Sequence, residues 1–317
     1  MARSEFSLID AFVEPFGVAK APRGPGDDCA VLPTREGALC VTTDAVVQGV
    51  HFTRPAFSLG DVGHKALAVN LSDLASMGAR PVWFLVALGL PRGFSFADVR
   101  RLGRGMAPLA KAHGIALAGG NVTSASELSV TVTAAGEVEA GFALLRSGAR
   151  AGDLLYVSGT LGDARLGLEK LGQGRRSRAV GRQKRPVPKV ALGRVAARFA
   201  SAGIDVSDGL GQDLGHLCKA SGVGAEVELA RLPLSREVIG HAGDAQRAAL
   251  FAVAGGEDYE LLLAVPPSRA QAFERACARM GEEVGRIGRL LRGSGVTLRG
   301  SDGQGVPVPR GYDHFVS

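Results

Sequence analysis

The sequence predicts an α+β protein built from two α/β-layered domains. Three observations carry this. Apolar runs of strand length are interleaved with helically spaced apolar residues, but without the strict alternation of a doubly wound parallel sheet. The chain has 317 residues, enough for two cores of ordinary size. A glycine- and charge-rich linker, "RSGARAGD" (Arg146 to Asp153), divides the pattern into an N-terminal domain over 1–148 and a C-terminal domain over 149–317.

Taken in order, Glu5 to Phe16 reads as a short amphipathic helix. Val- and Thr-rich "ALCVTTDAVVQGVHF" (Ala38 to Phe52) reads as two strands around a break near Asp44. Asp61 to Ala79 has helical apolar spacing and a stop at Gly78. Pro81 to Pro91 is a continuous apolar strand, followed by a helix over Phe96 to His113 and a short strand "IALAGG". Glu127 to Val138 alternates and is a strand. Beyond the linker, strand "LLYVSG" leads into helix "LGDARLGLEKLG". Helices over Val190 to Ala202 and Gly209 to Ser221 follow, then strands at Ala225 to Leu229 and Tyr259 to Val265. A helix over Ser268 to Met280 and strands near Val284 to Leu290 and Val296 to Leu298 close the pattern.

Composition excludes several classes. Apolar residues at 46% and charged residues at 21% fit a globular protein and not a disordered one. The net charge of +6 is concentrated in "GRRSRAVGRQKRPVPK" (Gly174 to Lys189), with seven basic residues and no acid. No helix-turn-helix, zinc-finger or RNA-binding signature accompanies it, so no nucleic-acid partner is expected. It reads as a solvated, mobile loop, with a role near polyphosphate as the second reading. Cys29, Cys40, Cys218 and Cys277 form no CxxC pair and read as buried free thiols of a reducing compartment. No apolar run reaches about 18 residues and the N-terminus lacks a signal-peptide core, so a cytoplasmic protein without membrane contact is expected.

Carboxylates recur at glycine-rich or strand-end positions: Asp27 and Asp28 in "GPGDDCAVL", Asp44 in "TTD", Asp73 in "NLSDLASMGA", Asp205 and Asp208 in "DVSDGL", Glu257 and Asp258 in "GGEDYEL". Taken alone, the Asp27–Asp28 pair is a solvated turn. As a set, these acids sit beside apolar segments without basic neighbours, and hard oxygen donors grouped this way suit magnesium. The phosphate loop GxxxxGK[ST], a strand-linked GxGxxG and the protein-kinase motifs are all absent. Ser207 and Asp208 are placed to cap the following helix. Glycines in "AGGNVT" and "SGTLGD" would let backbone N–H groups approach phosphate.

The motifs "GPGDDCAVL", "TTDAVVQGVHF", "NLSDLASMGA", "AGGNVT", "RSGARAGD", "DVSDGL", "GGEDYELL" and "GYDHF" occur in the order found in thiamine-monophosphate kinases, which the chain resembles from Glu5 to Phe315. These belong to the aminoimidazole ribonucleotide synthetase-like ATP-binding enzymes. The resemblance implies magnesium-assisted, in-line phosphorylation of thiamine monophosphate by ATP, and a homodimer formed through a mixed N-terminal sheet. It implies metal ligands at Asp28, Thr42, Thr43, Asp44, Asp73, Asp205 and Asp208. It places Gly120, Arg146 and Ser207 along ATP, and His51, Glu257 and Tyr312 against the thiamine substrate. The family's usual "GGD" is "GGN" here, so Asn121 offers magnesium and ATP a neutral oxygen in place of a carboxylate. Two other readings stand beside this one: another ATP-using enzyme of the superfamily, or a nucleotide-binding protein with catalysis impaired through Asn121.

Overall fold

The computed structural model describes residues 27–34, 36–54, 56–309 and 311–312. The helix expected over Glu5 to Phe16 lies outside them. The first sheet comprises β1 (Ala30–Pro33), β2 (Gly37–Val47), β3 (Arg80–Leu90), β4 (Ala116–Ser124) and β5 (Ser129–Glu139), in the order β1-β2-β5-β3-β4. All its pairs are antiparallel except β3–β4. Helix α1 (Leu59–Ser76) precedes β3, and α2 (Phe96–His113) links β3 to β4.

Local sequence explains both helix boundaries. Ser58 with Asp61, and Ser95 with Asp98, form reciprocal capping boxes that satisfy orphan N–H groups at each start. Gly78 at φ 71° and Gly114 at φ 65° turn the chain out of each helix.

The second sheet runs β12-β11-β8-β10-β6-β9-β7. Its strands are β6 (Leu154–Ser158), β7 (Ala202–Asp205), β8 (Gly224–Glu228), β9 (Leu261–Val265), β10 (Val284–Leu291), β11 (Gly295–Arg299) and β12 (Gly305–Val306). Its helices are α3 (Asp163–Gly172), α4 (Arg178–Lys184), α5 (Val190–Ala196), α6 (Leu210–Ser221), α7 (Arg236–Ala242), α8 (Ala245–Val253) and α9 (Pro267–Met280). The expected α+β class is borne out: both sheets are mixed and carry helices.

Helix α1 joins the halves. It packs on β2 and β5 of the first sheet and on β7 and β9 of the second. One apolar core runs from Leu67, Leu71 and Leu74 of α1 to Leu261, Leu263 and Phe273. A Cβ at Gly105 of α2 would lie 2.0 Å from the Gly60 carbonyl oxygen, and one at Gly193 of α5 1.9 Å from that of Ala75. The two glycines let neighbouring helices close onto α1 backbone to backbone.

Several sequence expectations are corrected. β2 runs through Asp44 without a break, because β5 pairs with it from Gly37 to Val47. The basic stretch is a solvated loop at its start, 174–176, but from Ser177 it is capped into helix α4 and anchored by buried Ala179 and Val180. The helix from Val190 ends at Ala196, and Ala202–Asp205 forms strand β7 in its place. Helices α7 and α8 were not anticipated; Ser235 and Asp244 cap them. All four cysteines are free and buried, as expected. Among the described residues no helix is long and apolar enough to cross a membrane.

Candidate active site

Helix α1 is apolar around most of its circumference, and its Lys65, Ser72 and Ser76 each meet an acid from another segment. Ser76 Oγ donates to Asp28 Oδ2 at 2.6 Å. Ser72 Oγ donates to Asp205 Oδ2 at 2.5 Å, across the two halves of the chain. Thr42 of β2 donates to Asp73 Oδ2 at 2.5 Å. Asp28, Asp73 and Asp205 each offer a carboxylate oxygen within 4.8 Å of the other two.

Such crowding is unfavourable without a cation. Burial pushes the Asp73 carboxyl well above the ordinary range, and the charges of Asp44, Asp205 and Asp28 push it further. Asp205 is pushed up to about 8 by burial and then by Asp28. Arg146 supplies local compensation: its guanidinium pairs with Asp28, and its N–H donates to Asp27 Oδ1 at 2.7 Å. Burial disfavours the Arg146 charge, but these acids outweigh it and raise its pKa. Hydroxyls and carboxylates with one cation among them make a hard-oxygen donor set suited to a divalent ion.

The remaining sequence-selected residues fall into three groups. Asp44 stands beside the cluster and acts on Asp73 through its charge. The side chain of Thr43 turns to the other face of β2, where its hydroxyl meets Thr133 and the Val132 carbonyl. Gly120 and Asn121 lie on edge strand β4, whose register is linked to β2 through β3 and β5. That places them about 14 Å from β2 along the sheet, so within one chain they are not brought into the cluster. Asn121 shares a row with Ala87, Thr131 and Ala45, on the face opposite Asp44.

In the second half, the expected cap is corrected. Gly209 occupies the N-cap of α6, with no side-chain cap bond. Buried Asp213 instead accepts from the N–H groups of Ser207, Asp208 and Gly209 at 3.0–3.1 Å, shaping the "DVSDGL" turn from inside. Asp208 accepts from Gln212 Nε2 at 3.0 Å, which also donates to the Tyr312 carbonyl at 3.1 Å. The Tyr312 N–H returns to the Asp208 carbonyl at 3.0 Å, so the C-terminal segment docks at this turn.

"GGEDYEL" lies against the same turn. The Glu257 N–H donates to the Ser207 carbonyl at 2.7 Å and the Tyr259 N–H to that of Val206 at 2.9 Å. Glu257 and Tyr259 have positive φ, 66° and 51°, a strained conformation concentrated at functional sites. Glu257 pairs with Lys65 of α1 at 2.6 Å. His51 Nδ1 accepts from the Val47 N–H at 3.1 Å, holding the imidazole in the turn after β2.

Sequence reasoning missed Lys65, Ser72, Ser76, Gln183 and Asp213. A lone lysine in the apolar run "GHKALAVNL" was the one available signal, since a buried ammonium needs a partner.

The family models decide the lineage. Residues 26–138 match the N-terminal domain of AIR synthase related protein, and residues 150–301 its C-terminal domain. A thiamine-monophosphate kinase of Salmonella typhimurium is 39% identical over 333 residues, covering 100% of both chains. The chain belongs to the thiamine-monophosphate kinase family. Solved structures agree with this kinase assignment. AaThiL complexed with AMPPCP and TMP matches with a TM-score of 0.87 and 34% identity, covering 98% of this chain and 97% of that one. The thiamine-monophosphate kinase from Stenotrophomonas maltophilia K279a matches with a TM-score of 0.80 and 39% identity, covering 96% and 99%.

Proposed function

We propose that this kinase transfers the γ-phosphoryl group of ATP to the phosphate of thiamine monophosphate, giving thiamine diphosphate and ADP. The convergence of Asp28, Asp73 and Asp205 carries the reading. It is supported by a relative of nearly identical extent complexed with AMPPCP, an ATP analogue, and TMP.

The donor set fits magnesium, because burial and mutual repulsion leave Asp73 and Asp205 in need of a cation. When bound, magnesium would neutralise phosphate charge and align the attacking oxygen with the γ-phosphorus. Asp28, Asp44, Asp73, Asp205 and Asp208 are the carboxylates that would hold it, with Thr42 as a neutral oxygen donor; neither Thr43, turned to the other face of β2, nor Asn121, on β4, is assigned to it from this chain. Gly120, Arg146 and Ser207 are assigned to ATP, and His51, Glu257 and Tyr312 to thiamine. The acceptor phosphate is already ionised at neutral pH, so no side chain serves as general base. Transfer is direct, without a phosphorylated protein.

The working form is a homodimer. Strand β4 is exposed along its whole length, with Leu117 and Val122 each 63% exposed. A bare apolar edge strand invites another chain, and a second copy of this sheet is the partner proposed. The cellular site proposed is the cytoplasm.

Asp73→Asn tests the assignment. The substitution keeps the shape and removes one charge, and loss of several kcal/mol of transition-state stabilisation lowers kcat by roughly 10²–10³-fold. Turnover near that of the unsubstituted protein at saturating ATP and magnesium would sink the ligand role.

A further inference from the structure

The basic stretch Gly174 to Lys189 takes no part in the acid cluster, yet four of its side chains end on acids of other segments, with Asp61 and Glu260 each taking two of them. Arg182 and Lys189 lie 3.7 and 3.6 Å from Glu260. Lys184 and Arg185 lie 3.8 and 2.7 Å from Asp61. Between these two ion-pair groups, Gln183 Nε2 donates to Glu257 Oε2. Helix α4 is thereby fastened on both sides of one neutral contact, and that contact is to a strained glutamate.

The other oxygen of this glutamate is also held. Lys65 Nζ lies 2.6 Å from Glu257 Oε1 and 5.6 Å from the centre of the Phe57 ring. Lys65 and Gln183 are each 1% exposed, whereas the Glu257 side chain is 26% exposed. A ligand arriving from solvent can therefore reach Glu257 but not the two groups behind it. A carboxylate accepts up to about four hydrogen bonds, so one from each side leaves acceptor capacity facing outward.

We propose that Lys65 and Gln183 are positioning residues that fix the Glu257 carboxylate to receive N–H donors of the thiamine acceptor. This rests on the proposed function, and on Glu257 lying on the thiamine side. The aminopyrimidine ring of thiamine carries such donors. Lys65 balances the Glu257 charge, and the neutral Gln183 orients it without adding a second positive charge beside the thiazolium. With both oxygens tied from behind, the left-handed backbone at Glu257 presents one carboxylate orientation instead of several. ATP has no contact assigned to this group, so the effect is confined to one substrate.

The test is steady-state kinetics on the full chain with both substrates varied, for the wild type, Lys65→Met, Lys65→Arg and Gln183→Leu. Lys65→Met is expected to raise the KM for thiamine monophosphate at least about tenfold while the KM for ATP stays within about twofold. Lys65→Arg restores most of the loss, because it returns a cation to Glu257. Gln183→Leu, a milder change on a separate helix, raises the same KM about threefold or more. Calorimetric titration with thiamine monophosphate reads the same order without turnover. Equal rises in both KM values, or a fall in kcat with both KM values unchanged, would overturn the positioning role. A wild type that makes no thiamine diphosphate would instead overturn the proposed function, and the positioning role with it.

Discussion

Asp73 carries two opposed consequences of one charge. Its carboxyl is pushed far above the ordinary range by burial and by Asp44, Asp205 and Asp28, so the metal-free fold bears the repulsion that a cation would relieve. Asp73→Asn should therefore raise the Tm of the metal-free protein while lowering kcat, and a scanning calorimeter reads the first effect directly. A fall in Tm would mean that the carboxylate is a structural acceptor for Thr42 and little more. Asp61 shows the reverse case. Burial pushes its carboxyl up, but hydrogen bonds from Arg185 and Ser58 together hold it below the usual range. A depressed carboxylate contributes stability above its unfolded pKa and loses it as pH falls through the folded value. Asp61→Asn should cost about 1–2 kcal/mol at pH 7, from the cap and its ion pair. The gap to wild type should close below about pH 4, as urea melts across pH would record. At this scale the acids were legible because they stand in sequence among glycine and apolar residues rather than beside basic ones. Lys65, Ser72 and Gln183 were not, because each is a helix residue whose partner lies far along the chain, 133 positions away for Ser72 and 74 for Gln183, and comes near only on folding.

Helix α1 was legible to within two or three residues, since its apolar spacing and Gly78 stop are local signals. Its role as the shared wall of both sheets was not, because the approach of α2 and α5 depends on where glycines meet carbonyls in space. Gly105→Ala tests that packing. Its Cβ would need the Gly60 carbonyl oxygen, 2.0 Å away, to move, and overpacking of this kind costs about 1–3 kcal/mol. Thermal melts should show the loss, and an unchanged Tm would mean that the two helices part without penalty. The same distinction explains the errors in the other elements. Asp44 resembles a strand breaker in sequence, but β5 satisfies the backbone of β2 on both sides of it. Seven basic residues resemble a solvated loop, but Arg182, Lys184, Arg185 and Lys189 meet Asp61, Glu260 and Glu282 once the chain folds. Strand β7 has four residues, too few to show a period.

At the scale of the molecule, the two halves meet through α1, and acids from both reach one point. The α+β class was legible from interleaved runs, while strand order was not, since pairing across the sheets is set by long-range contacts. The exposed edge strand β4 gives the proposed dimer its clearest test. Leu117→Lys places a charge on that edge, and light scattering after size exclusion should then find one chain where the wild type shows two. A variant that stays dimeric would move the interface elsewhere. Whether phosphoryl transfer ends on thiamine monophosphate is read from the products. Purified protein is incubated with ATP, magnesium and thiamine monophosphate, and products are resolved by chromatography and phosphorus NMR. Thiamine diphosphate and ADP are expected in equal amounts, with no free phosphate and no phosphorylated protein. ADP with inorganic phosphate and no thiamine diphosphate would contradict transfer to thiamine monophosphate.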